Sequence, residues 1–270
     1  MPATLADKRA AFADLHTAGC FVIPNPWDVG SAVALQSLGF KAIASTSAGF
    51  AWSRGRPDYR VERDEVLAHL TALAAAVDIP LNADFENGFA HDPASVAENV
   101  ALAAKAGVAG LSVEDSKGDA ADPLYAFDLA VERITAAKAA LAGTGVLLTA
   151  RTEGFLWGRP DMDETLRRMT AFAEAGADVL YAPGLRQEEQ IAQLVRAVAP
   201  KPVNVLTPGM SVATLADLGV RRISVGGSLA RTAWGGFLKA AREIAEAGTF
   251  SAFGDAATGA DLKALLKPEG

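Results

Sequence analysis

Short runs rich in Val, Ile and Leu alternate along the chain with longer Ala- and Leu-rich stretches of helical character. The short runs predict strands at about 20–24, 41–45, 79–84, 108–114, 146–150, 178–182, 202–206 and 222–226. Between them, Asp92 supplies an N-cap with Pro93 at the first helical position, opening a predicted helix at 93–106. That helix stops at Gly107; predicted helices at 163–175 and 211–218 stop in the same way at Gly176 and Gly219. A helix that ends in Gly and leads straight into a strand is the rhythm of αβ units. An eighth helix is predicted at 228–247, an extra N-terminal one at 4–18, and a short run at Ala260 to Leu266. Eight strands with seven intervening helices predict an α/β fold of the closed (β/α)8 type, a TIM barrel, over a doubly wound sheet. The 270 residues suit one such barrel, for which ~250 is typical. No Pro-, Ser- or charge-rich linker interrupts the pattern, so one domain is expected over 1–270, with the barrel at about 20–247 and a helical tail at 248–270.

Composition narrows the partners. Half the residues are hydrophobic and the net charge is -7, with no basic stripe, so no nucleic-acid partner is expected. Cys20 is the one cysteine, which excludes a disulfide within the chain. No apolar run approaches the ~18 residues of a membrane span. The N-terminal residues lack the basic segment and apolar run of a secretory signal, so a cytoplasmic protein is expected.

Active sites of such barrels sit at the C-terminal ends of the strands. There the chain places Asp84-Phe85-Glu86, Glu114-Asp115, Arg151-Thr152-Glu153, Asn204, and Thr46-Ser47-Ala48-Gly49. Isolated charges are rarely buried without partners. Asp84 and Glu86 are two apart, so on extended backbone they would point the same way. Glu114 ends the neighbouring strand. Three converging carboxylates with no His or Cys suit a hard cation, Mg2+ first and Mn2+ second. The alternative is solvated loop acids, some paired with Arg. At the end of an apolar strand, Arg151 can grip a carboxylate bidentately, or bridge to Glu153 or Glu114. Backbone N–H groups of Ser47, Ala48 and Gly49 could face an anionic substrate. Gly226-Gly227-Ser228 opens a helix where a phosphate could sit, the feature of a rival phosphate- or flavin-binding barrel, or simply lets strand 8 turn. His16 and His69 fall on predicted helices, and His91 in the loop after strand 3. No Ser-His-Asp arrangement is visible.

The ordered set of motifs resembles the isocitrate lyase/phosphoenolpyruvate mutase superfamily. It comprises Pro24-Asn25-Pro26-Trp27-Asp28, Ser45-Thr46-Ser47-Ala48-Gly49, Ala83-Asp84-Phe85-Glu86-Asn87-Gly88-Phe89, Val113-Glu114-Asp115 and Ala150-Arg151-Thr152-Glu153. The resemblance implies Mg2+, a pyruvate-like enolate, and scission or formation of a C–C or P–C bond in a small 2-oxo or 2-hydroxy acid. It implies metal-associated acids at Asp58, Asp84, Glu86 and Glu114, and a substrate-carboxylate arginine at Arg151. It further implies an anion site at Ser47, Ala48 and Gly49 supported by Thr46 or Ser45, and a homo-oligomer, dimer or tetramer, with the last barrel helix swapped between subunits. Two departures stand out. The motif reads Asp84-x-Glu86 where the family often has Asp-x-Asp. After Glu114 the chain reads Ser116-Lys117-Gly118-Asp119-Ala120-Ala121-Asp122-Pro123, without the Lys-Lys-Cys-Gly-His run of the isocitrate and methylisocitrate lyases. Lys117 is the one catalytic candidate in that segment. A C–C lyase or decarboxylase is thus expected, with a P–C bond enzyme, or a 2-oxo-acid-binding barrel with little turnover, as the alternatives.

Overall fold

The computed structural model describes residues 2–206 and 209–266. In chain order it contains α1 (Leu5–Leu15), β1 (Phe21–Ile23), α2 (Val29–Ser37), β2 (Ile43–Ala44), α3 (Ser47–Ser53), α4 (Arg63–Ala76), β3 (Leu81–Asp84) and α5 (Pro93–Lys105). Then follow β4 (Gly110–Glu114), α6 (Phe127–Ala140), β5 (Leu147–Arg151), α7 (Met162–Glu174), β6 (Val179–Tyr181), α8 (Glu188–Val198), β7 (Val203–Leu206), α9 (Val212–Asp217), β8 (Arg222–Ser224), α10 (Ser228–Ala247) and α11 (Gly259–Leu265).

The local signals act as expected. Asp92 caps α5 by accepting from Ser95 N, and Pro93 opens the helix. Gly107, Gly176 and Gly219 follow α5, α7 and α9 with φ of 95°, 100° and 86°, a region only Gly enters without strain. Most strands are shorter than their apolar runs; β2 spans two residues of the run 41–45, with Ala42 and Ser45 buried on either side of it.

All eight strands are parallel and ordered β1-β8-β7-β6-β5-β4-β3-β2. A backbone hydrogen bond from Ala44 N to Pro24 O, 3.0 Å, brings β2 back to the end of β1 and nearly closes the barrel. The β4–β5 register pairs Ser112 with Thr149 and Glu114 with Arg151, which stacks one polar pair above another inside the barrel. The extra helix α1 packs under the barrel. Its Phe12 is fully buried, and the His16 ring beyond its end meets Phe12 and Phe21 edge-on at 4.7 and 5.1 Å. No helix among the described residues is long and apolar enough to cross a membrane.

Candidate active site

The ends of β3, β4 and β5 converge on one cation. Arg151 Nη1 lies 3.3 Å from Asp84 Oδ1 and 3.3 Å from Glu114 Oε2, while its Nε donates to Glu153 Oε1. Both alternative partners foreseen for Arg151 are therefore real. Burial works against the guanidinium's charge, but Glu153, Glu114 and Asp84 more than offset it and hold its pKa well above the usual value. Burial also pushes the Glu114 carboxyl up against the pull of Arg151. Asp84 is held in place by Ser47 N, which donates to its Oδ2 at 3.0 Å, and by its own N–H, which donates to Ser45 Oγ at 2.8 Å.

Two further acids approach the cluster. Asp58 lines a cavity together with Asp84 and Arg151 and is pushed up by burial and by Asp84. Glu86 is buried and pushed up to about 8 by burial, Asp58 and Asp84, with Arg151 opposing. It does not get there on extended backbone. Glu86 has φ 45°, so the chain turns sharply after β3 instead of continuing its alternation. Proximity comes from that turn, and the two-residue spacing alone does not produce it.

The remaining candidates divide. Ser47, Ala48 and Gly49 form the first turn of α3, where Thr46 Oγ1 accepts from Gly49 N at 3.2 Å. With Ser47 N given to Asp84, Ala48 N–H is the donor of this trio without a protein acceptor among the described residues. Asn204 lies inside the barrel, donating to Ser224 Oγ at 3.0 Å and accepting from Arg222 Nε at 2.8 Å. Lys117 is not brought to the acids. It pairs with Asp122 and lies 5.8 Å from the Tyr125 ring centroid. Gly226 N and Val225 N both donate to Asn25 Oδ1 at 2.9 Å, so these donors already serve the turn after β8. His16 and His69 are packed structurally, and His91 Nδ1 meets Tyr125 Oη at 2.8 Å.

Several site residues escaped the sequence reading. Tyr59 donates its hydroxyl to Glu114 Oε1, from a backbone at φ 59°. Its neighbour Asp58 was the signal available. Arg133 of α6, 1% exposed, donates to the carbonyls of Asn87, Ala90 and His91 and so pins the loop that follows β3. Arg222 lines the floor of a cavity of about 190 Å³ that also touches Asp84, Arg151 and Asn204. A charge inside the apolar run 222–226 was its mark in the sequence.

The donor set fits Mg2+. Among the described residues no three His, Cys, Asp or Glu side chains are placed to chelate an ion, since Arg151 and Tyr59 already engage Asp84 and Glu114. Mg2+ asks for less than that. It binds through one or two carboxylates and keeps several waters. The Asp58, Glu86 and Glu114 carboxyls are raised first by burial and then by neighbouring carboxylates, and a dication would offset both.

An uncharacterised Mycobacterium tuberculosis protein is 37% identical over 221 residues, covering 80% of this chain and 81% of its own. The oxaloacetate decarboxylase of Paraburkholderia xenovorans is 30% identical over 194 residues, covering 66% and 62%. A crystal structure from Burkholderia cenocepacia J2315, described as that of a lyase or mutase, superposes with a TM-score of 0.92 at 48% identity, covering 96% of this chain and 95% of the other. The family model for phosphoenolpyruvate phosphomutase matches residues 12–245, and the chain belongs to that family, within the isocitrate lyase/phosphoenolpyruvate mutase superfamily of lyases and mutases.

Proposed function

We propose that the protein is a Mg2+-dependent lyase that cleaves a C–C bond of, or decarboxylates, a small 2-oxo or 2-hydroxy mono- or dicarboxylic acid. The observation that carries this reading is the half-buried Arg151, shared by Asp84 and Glu114 at the mouth of a polar cavity. Mg2+, when bound, supplies Lewis-acid polarisation of the substrate's 2-oxo and carboxylate oxygens. Arg151 and Ala48 N–H orient the carboxylate next to C2. Asp58, Asp84, Glu86 and Glu114 provide the oxygens for the ion, directly or through water. In decarboxylation the C3–C4 bond breaks, its electron pair moves into the C2–C3 enolate, CO2 leaves, and a proton then adds at C3 to give pyruvate. This reaction asks least of the segment after Glu114, which has no Cys or His, and whose Lys117 pairs with Asp122. The similarity to an oxaloacetate decarboxylase supports the same choice. A P–C bond enzyme is the second reading, favoured by the phosphomutase family model.

A pyruvate-release assay over oxaloacetate, methylisocitrate, dimethylmalate and phosphonopyruvate, with and without Mg2+, separates the readings. The expected result is Mg2+-dependent release from oxaloacetate above the non-enzymatic rate, lost in Asp84→Ala and Glu114→Ala. If neither variant altered the metal dependence, the assigned acids would be wrong. Pyruvate from phosphonopyruvate alone would select the second reading. Stabilisation by oxalate and Mg2+ without turnover of any substrate would select a binding barrel.

The protein is further proposed to be a homo-oligomer, a dimer or tetramer that exchanges α10. Trp234, Phe237 and Leu238 on that helix are 38%, 60% and 39% exposed, and Phe250 and Phe253 beyond it are exposed as well. A contiguous apolar surface of this kind marks an interaction site.

A further inference from the structure

The cavity floor carries a charge that the chemistry at its rim leaves unused. Arg222, the first residue of β8, is 3% exposed. Its Nε donates to Asn204 Oδ1 at 2.8 Å and its Nη2 to Thr149 Oγ1 at 2.9 Å, and Nη1 lies 3.3 Å from His16 Nε2. Every one of these partners is neutral. His16 Nδ1 lies 2.7 Å from Phe12 O, which makes it the donor there and leaves Nε2 to accept from Arg222. No Asp or Glu among the described residues answers the guanidinium, whose pKa burial lowers to about 10. Arg168, comparably buried, has Asp115 at 3.0 Å. A buried charge without a counter-ion is costly.

The geometry shows what could. These contacts use three of the five guanidinium N–H donors, one on each nitrogen. Ala44, Ser112 and Ser224 are small and leave the cavity open down to Arg222. Thr149, to which Arg222 is bonded, stands two residues below Arg151 on β5 and faces the same way, a step of about 6.6 Å. In a four-carbon dicarboxylate the two carboxylate carbons are three C–C bonds apart, about 4 Å. Hydrogen bonds of about 2.9 Å at each end then span the two levels.

We propose that Arg222 binds the distal carboxylate of a four-carbon 2-oxo or 2-hydroxy dicarboxylate whose other end lies at Arg151. This deepens the lyase reading and rests on it. Asn204 positions the guanidinium, and Ser224 positions Asn204. The distal charge enters a site that already holds its counter-ion, so a neutral group there leaves Arg222 uncompensated and a dicarboxylate is selected.

Calorimetric titration in Mg2+ tests this, with oxalate, malate and 2-hydroxybutyrate on the wild-type protein and on Arg222→Gln. Oxalate is too short to reach Arg222, and 2-hydroxybutyrate ends in a methyl group where malate has a carboxylate. The wild type should bind malate at least about thirtyfold more tightly than 2-hydroxybutyrate, and Arg222→Gln should lose about the same factor for malate while holding oxalate within about twofold. Equal wild-type affinity for malate and 2-hydroxybutyrate overturns the proposal, and that comparison does not depend on the variant folding. Parallel loss of oxalate and malate in Arg222→Gln also overturns it, because the residue would then be structural. A wild type that binds neither oxalate nor malate removes the lyase reading together with this one.

Discussion

Arg151 on β5 reaches past β4 to set its Nη1 3.3 Å from Asp84 Oδ1 on β3. A residue that ends one strand thus meets the acid that ends the strand two places away, and Glu114 between them shares the same nitrogen. Removing the cation leaves Asp84, Glu114 and Glu153 facing one another. Arg151→Met should cost about 3–5 kcal/mol in stability, read by urea titration, and abolish turnover. Arg151→Lys should keep part of the stability and little of the activity, because a single ammonium nitrogen lacks the spread of Nε and Nη1 that reaches Glu153 on one side and Asp84 and Glu114 on the other.

Glu86 makes stability depend on pH in a defined direction. Its folded pKa, about 8, lies above the ordinary 4.5, so the folded state holds the proton more tightly than the unfolded chain. The stabilisation is complete below about 4.5 and is lost as pH rises through about 8. In Mg2+-free protein, unfolding free energy from Glu86 should fall by roughly 1.4 kcal/mol per unit across that window. Glu86→Gln should flatten the slope in denaturant titrations at several pH values. An unchanged slope would show that the group is not held protonated.

The same proton predicts a linkage to metal. At neutral pH Mg2+ should displace it from Glu86, so binding should release up to about one proton and tighten as pH rises. Calorimetry in buffers of different ionisation enthalpy measures that release directly. Glu86→Gln should remove it.

Arg133 should act on the site from below the loop that follows β3. It gives three carbonyl oxygens their donors and stacks on Tyr125 at 4.0 Å. Arg133→Met should destabilise by roughly 3 kcal/mol. It should also weaken Mg2+ binding through misplaced Glu86, even though Arg133 touches no acid of the cluster. Unchanged Mg2+ affinity would confine Arg133 to a packing role.

Gly49 offers a steric test of the anion corner. A Cβ there would stand 2.6 Å from Thr46 Cγ2, 3.0 Å from Trp27 Cβ and 3.3 Å from Ala230 Cβ. Two of these atoms are Cβ atoms that cannot swing away, so Gly49→Ala should cost about 1–3 kcal/mol by overpacking. It should raise KM for the acid substrate by disturbing the turn that presents Ala48 N–H. A variant with wild-type melting and KM would show that the corner has slack.

Much of this protein was legible in one dimension because the signals are local. Strand and helix order follow from runs of apolar residues and from caps such as Asp92 and Gly107, whose effects depend on immediate neighbours. Barrel order then places Asp84, Glu114 and Arg151 at strand ends without further information. What the linear chain could not decide was how those charges divide among themselves. Glu86 reaches the acids through a left-handed turn that its spacing from Asp84 did not announce. Lys117 turned to Asp122 on its own loop. Tyr59 and Glu114 are fifty-five residues apart in the chain, and Arg222 and Thr149 seventy-three, so their contacts exist only because the barrel closes. Local propensity acts over a few residues of backbone, whereas the balance of buried charge is a sum over every side chain that closure brings within hydrogen-bond reach.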